Sequence, residues 1–81
     1  MPSTSVIVGS AVGLHARPAA IIAERANELG SDVTINGVDA GSSLMIMTLG
    51  ATKGATVEVE GDDQAAVDTI AALVEQDLDA D

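Results

Sequence analysis

The dipeptide Asn36-Gly37 stands between two short runs, Asp32 to Ile35 and Val38 to Ala40, and is the strongest hairpin signal in the chain. It commits the middle of the sequence to an antiparallel strand pair, and the flanking patterns build outward from it. Thr4 to Val8 is a run rich in β-branched residues closed by Gly9, which reads as a strand. Ala16 to Leu29 repeats apolar residues at helical spacing, with Ala19, Ile22, Ala26 and Leu29 on one stripe and Gly30 as the stop. Pro18 falls in the first turn of that helix, where a missing N–H costs little because the first donors have no partner inside the helix.

Ser42-Ser43 before Leu44-Met45-Ile46-Met47 predicts a short capped helix ending at Gly50. Thr56 to Glu60 alternates Val57 and Val59 with polar residues, a strand with one wet face. Asp62 or Asp63 then caps a helix through about Leu78, with Val67, Ile70, Ala71 and Val74 turned inward. The order is β-α-β-β-α-β-α. Amphipathic helices in that order predict an α+β open-faced sandwich, one four-stranded antiparallel sheet covered on one face by three helices. With 81 residues the expectation is a single domain spanning 1–81.

Composition narrows the chemistry. There is no Cys, Phe, Tyr or Trp, so the core is aliphatic, and disulfides, thiolate metal sites and aromatic stacking platforms are excluded. A formal net charge of −10 argues against binding a phosphate backbone. From Glu58 onward there are nine Asp or Glu and no Lys or Arg, read as a solvated face and tail. One His, no Cys and scattered carboxylates give no metal-ligand spacing, so neither metal nor cofactor is expected. Neither a signal peptide nor a membrane span is expected from the apolar runs, which points to a cytoplasmic protein, expected to be a monomer.

Against this background His15, the chain's lone histidine, stands out beside Arg17 at the start of the first helical pattern. Helix N-termini present unpaired N–H groups and welcome negative charge. A neutral imidazole there can act as a nucleophile, because the helix end and a nearby guanidinium both disfavour imidazolium. A phosphoryl group once attached would be held by the same N–H groups and by Arg17. Ala16 and Arg17 are the candidate phosphate-contacting positions, and Gly13 lets the preceding loop bend clear of the ring. The alternative is a structural histidine at a helix cap, with Arg17 an ordinary surface charge.

The run Leu14-His15-Ala16-Arg17-Pro18-Ala19, followed by Ser43-Leu44-Met45-Ile46-Met47-Thr48-Leu49-Gly50, resembles the HPr family of phosphocarriers of the bacterial sugar phosphotransferase system. The resemblance extends over nearly the whole chain and implies the same open-faced sandwich. It implies that enzyme I, phosphorylated from phosphoenolpyruvate, passes a phosphoryl group to Nδ1 of His15, with Arg17 assisting. His15 then hands it to enzyme IIA domains. The second helix is implied to lie beside His15 as an apolar docking patch of Leu44, Met45 and Met47, extended by Ala20 and Ile21. Ile46 and Leu49 are expected to be buried.

Ser43 matches a serine that some members carry as a regulatory site for a serine kinase, but Ser42 stands where those members usually have Lys. The competing reading, favoured here, makes the Ser43 hydroxyl the helix N-cap. Two further departures from the family pattern are visible. Glu24, Asn27 and Glu28, with Arg25, replace the lysines many members carry toward the end of the first helix. The hairpin strands are shorter by about three residues around the tight Asn36-Gly37 turn. Two rival readings remain: a regulatory HPr-like phosphoprotein using the same His15, and an acyl carrier protein with Ser43-Leu44-Met45 as its prosthetic-group segment. Acyl carriers are all-helical, whereas Ser5 to Val8, Val33 to Ile35 and Thr56 to Glu60 read as strands.

Overall fold

The computed structural model of the chain describes residues 2–9, 13–14, 16–30 and 32–76. Along them run β1 (Ser3–Ile7), α1 (Ala16–Leu29), β2 (Val33–Ile35), β3 (Val38–Asp39), α2 (Ser43–Thr48), β4 (Thr56–Gly61) and α3 (Gln64–Glu75). The strands form one four-stranded sheet in the order β1-β4-β2-β3, antiparallel at every pairing. This is the open-faced sandwich that the sequence pattern predicts.

Register decides which face is wet. Val6 pairs with Val57 and Ile35 with Val59, so these side chains line the inner face together with Val33. Ser5 opposite Glu58 and Ile7 opposite Thr56 fall on the other face and are exposed. A one-residue slip would exchange the two sets, so burial of the valines fixes the pairing. The turn follows the predicted chemistry: Asn36 (φ 50°) and Gly37 (φ 85°) both take positive φ, as a two-residue type I′ hairpin requires. Asn36 has a second task the sequence did not disclose. Its N–H donates to the Glu58 carbonyl and its Oδ1 accepts from the Glu58 N–H, both at 2.8 Å, extending the β2–β4 ladder by one rung.

The helices pack onto the inner face through one cluster that includes Ala19, Ile22 and Ala26 of α1, Ile46 of α2, and Val67, Ile70, Ala71 and Val74 of α3. With no aromatic ring available, close packing relies on these small and branched side chains. Asn27 ties α1 to the β3–α2 connection, its Nδ2 donating to the carbonyls of Ala23 (2.9 Å) and Gly41 (3.0 Å).

Several expectations need correction. Leu29 lies on the same helical angle as Ile22 but is 36% exposed, because it falls in the last turn and does not join the core. β1 ends at Ile7 instead of Val8, because the Val8 N–H and carbonyl turn to Ala55 (2.8 Å) and Gly54 (2.9 Å). β3 ends at Asp39 although the Ala40 N–H still reaches the Val33 carbonyl at 2.9 Å. α3 ends at Glu75, short of the predicted Leu78, with Gln76 already extended (φ −76°, ψ 151°). The Val74 carbonyl, which a continuing helix would use, accepts the Gly9 N–H at 3.0 Å. Leu78 itself lies outside the described residues. Of the two candidate caps for α3, Asp63 is the one used, its carboxylate accepting the Ala65 N–H at 3.1 Å.

Candidate phosphoryl-loading site

α1 begins at Ala16, so its first turn carries Ala16 and Arg17 at the positions predicted to face a phosphoryl group. Both are exposed, and no acidic side chain occupies that first turn to compete for the donors. Pro18 is buried there, fixing φ at the helix start without wasting a donor. His15, predicted as the acceptor, lies outside the described residues. Leu14 is 3% exposed, its side chain in the core, and its N–H donates to the Ala51 carbonyl at 2.9 Å. Gly13, with φ +76°, lies flat against the backbone of Ala51 and Thr52.

The segment after α2 is therefore a neighbour of the site that the sequence reading missed. Residues 51–55 form a turn closed by the Ala55 N–H to the Thr52 carbonyl (2.9 Å), with Thr52 and Lys53 exposed. The available signal was Gly13 itself, since a glycine just before the Leu14-His15 run can mark close backbone approach as well as a bend.

α2 divides its side chains as its period dictates. Ile46 is fully buried, while Leu44 and Met45 are 68% and 43% exposed. Met47 is half-buried against the core. Leu49 was expected to be buried with Ile46, but it is half-buried, because it is the residue on which the helix ends. The cap of α2 also differs from expectation. Ser42 takes the extended N-cap conformation and its Oγ accepts the Met45 N–H at 3.3 Å, which leaves Ser43 as the first helical residue. The hydroxyl that lies three residues before the third helical N–H is that of Ser42.

Of the two residues expected to extend the patch along α1, Ala20 is exposed and shares a helix face with Asn27, which reaches Gly41 just before α2. Ile21 is half-buried and lines a shallow groove with Leu73 of α3, rimmed by Glu24, Arg25 and Glu28. The structure thus sets Ala20 toward α2 and Ile21 toward α3. Arg25 and Glu28 approach to 3.7 Å on the exposed face, a pair of small energetic weight. Among the described residues no group of three or more His, Asp or Glu side chains could hold a metal ion.

The sequence model described as the PTS HPr component phosphorylation site matches residues 2–76. The chain belongs to the HPr family. Its HPr relatives include the phosphocarrier protein HPr of Streptomyces coelicolor, 38% identical over 87 residues that cover 98% of this chain and 94% of the relative. HPr of Mycoplasma pneumoniae is 36% identical over 84 residues, covering 94% and 96%. Among solved structures, HPr-C-His from Thermoanaerobacter tengcongensis superposes with a TM-score of 0.87 at 26% identity, covering 100% of this chain and 99% of that one. HPr from Bacillus anthracis gives 0.76 at 35% identity, with coverage of 90% and 95%. Over the described residues the HPr sandwich is thus retained with a short hairpin and an aliphatic core. Among the described residues no helix is long and apolar enough to cross a membrane.

Proposed function

We propose that the chain is a single-domain cytoplasmic phosphocarrier in which His15 accepts a phosphoryl group from phosphorylated enzyme I and passes it to enzyme IIA domains. The observation that carries this reading is the family match over residues 2–76, which spans the Leu14-His15-Ala16-Arg17 run at the start of α1. In the loading step the Nδ1 lone pair of His15 forms a bond to phosphorus as the bond between phosphorus and enzyme I breaks. The unloading step is the same displacement with the acceptor on enzyme IIA as nucleophile. The role of the chain's other residues is electrostatic: the N–H groups of Ala16 and Arg17 and the Arg17 guanidinium stabilise the phosphoryl oxygens. The protein does not turn over by itself; each step needs a partner enzyme.

Leu44, Met45 and Met47, with Ala20, supply the apolar docking surface in this reading, and Ile21, turned toward Leu73 of α3, stands apart from it. Methionine suits the purpose because one flexible, polarisable side chain adapts to two different partners. A second use rests on the cap of α2. With Ser42 capping the helix, the Ser43 hydroxyl is not needed for that task and is a candidate target for a serine kinase.

The test is incubation of wild-type chain and His15→Ala with phosphoenolpyruvate and enzyme I. Acid-labile phosphate should appear in a one-to-one ratio on the wild type and be absent from the variant. Label retained by His15→Ala, or mapped to another residue, would refute the assignment.

A further inference from the structure

Gly13 and Leu14, just before His15, meet the segment after α2 through main-chain atoms. The Leu14 N–H donates to the Ala51 carbonyl at 2.9 Å. One residue earlier, a Cβ placed on Gly13 would run into the same carbonyl oxygen and lie 2.8 Å from the Thr52 Cα. Both obstacles are backbone, so neither can swing aside as the tip of a side chain could. The 51–55 turn is fixed in its own right, since the Gly54 N–H donates to the Val8 carbonyl (2.9 Å) and the Val8 N–H to the Ala55 carbonyl (2.8 Å). Next to Val8, the Gly9 N–H donates to the Val74 carbonyl at 3.0 Å. The connection from β1 to α1 therefore leaves from one anchored point and returns to another.

Positive φ alone does not distinguish Gly13. Gly30, at φ +69°, has nearly the same backbone conformation, yet a Cβ there would meet nothing within 4 Å. Among the glycines at positive φ, what is particular to Gly13 is the contact; Gly9 and Gly61 also press on backbone, but against Glu75 and Asp32 and farther from His15 in the sequence. Clearing Thr52 Cα from 2.8 Å to an ordinary 3.4 Å separation, and the Ala51 oxygen by more, requires a displacement approaching 1 Å. Leu14, locked in the core, resists sharing that shift inward. Beyond Leu14 the next residue is His15, two positions from the crowded Cα.

We propose that Gly13 is a positioning residue for phosphoryl transfer, whose bare Cα lets Gly13 and Leu14, the two residues before His15, seat on the backbone of Ala51 and Thr52. This rests on the reading of His15 as the phosphoryl acceptor. In-line transfer between two proteins depends on near-attack geometry, and a misplacement of about 1 Å lowers rates by roughly a hundredfold.

The experiment measures kcat and KM of enzyme I with wild-type chain, Gly13→Ala and Gly30→Ala as phosphoryl acceptors, together with the end-point of acid-labile phosphate. For Gly13→Ala, kcat should fall by about tenfold to a hundredfold, with KM within about twofold and the end-point still one phosphate per chain. Gly30→Ala, carrying the same backbone strain at the far end of α1, should stay within about twofold in both constants. A Gly13→Ala kcat equal to wild type, or a loss carried wholly by KM, overturns the proposal. Should Gly13→Ala fail to fold, replacing the Leu14 amide by an ester removes the hydrogen bond to Ala51 without adding an atom. The same loss confined to kcat is then expected, and an unchanged kcat overturns the proposal. A wild-type chain that takes up no acid-labile phosphate overturns the parent reading and this one with it. A labelled wild type beside an unimpaired Gly13→Ala removes this one alone.

Discussion

Helix α2 offers a sharp separation of stability from recognition, because Leu44 and Ile46 are two residues apart and face nearly opposite directions. Ile46 is fully buried. Truncating it to alanine removes three carbons from a packed interior, costing about 3 kcal/mol, within the range seen for Ile→Ala in cores. At about 2.1 cal/mol/K per residue of unfolding entropy, a chain of this length converts that to a fall in Tm of roughly 18 °C. Leu44 is 68% exposed, so little of it contributes to folding. Fully burying a leucine is worth about 1.5–3 kcal/mol, and the exposed share available to a partner is therefore ~1–2 kcal/mol. Leu44→Gln should then weaken binding to phosphorylated enzyme I by about fivefold to thirtyfold. Its Tm should move by no more than about 3 °C, the usual scale for a surface substitution. The assay pairs thermal unfolding by circular dichroism with the KM of enzyme I for each variant at a temperature where both are folded. Ile46→Ala should show the large Tm change with a near-normal KM, and Leu44→Gln the reverse. If Leu44→Gln lost as much Tm as Ile46→Ala, or left KM unchanged, α2 would be a packing element and not a docking one.

Thermal unfolding also separates the two serines before α2: Ser42→Ala should lose about 1 kcal/mol, or ~6 °C, whereas Ser43→Ala should lose only a few tenths. Equal losses would mean that the cap is not the Ser42 hydroxyl. Asn27→Ala removes both side-chain bonds from α1 to the Ala23 and Gly41 carbonyls and should cost about 1–2 kcal/mol in urea unfolding, with little change in m. An unchanged midpoint would show that the bridge contributes nothing. Because Glu24 and Glu28 stand exposed on α1, little favourable long-range attraction to an acidic partner is left to screen. The transfer rate should change by less than about twofold between roughly 0.05 and 0.15 M ionic strength, and a collapse over that range would contradict this account.

Much of the fold was legible because its signals are local. Ala16 and Leu29 were read as the ends of α1, and Asn36-Gly37 as the hairpin, since a proline in the first turn, a glycine stop and an Asn-Gly turn act within a few residues. The inward set of α3 was legible for the same reason, because helical period alone selects Val67, Ile70, Ala71 and Val74. Where local signals were degenerate the reading failed. Two adjacent serines satisfy the same cap pattern, and only the backbone conformation at Ser42 decides between them. Leu29 kept the right angle but stood where the core had already ended.

The candidate site stood out in the sequence by its residue types, and its support did not. A lone imidazole beside a guanidinium marks a candidate nucleophile and charge partner by residue type, so Leu14-His15-Ala16-Arg17 could be picked out against an acidic, aliphatic background. Beside the buried Leu14 side chain, what supports the entry to that run is backbone meeting backbone: Gly13 and Leu14 on Ala51 and Thr52, Val8 on Gly54 and Ala55, Gly9 on Val74. Every residue owns the same N–H and C=O, so such contacts leave no side-chain pattern, and they join segments far apart in the sequence. Their trace is a residue type defined by what it lacks. Glycine at position 13 permits two backbones to touch where any Cβ would part them, which is why the residue least suggestive of chemistry in the run is the one on which the geometry of transfer is argued to depend.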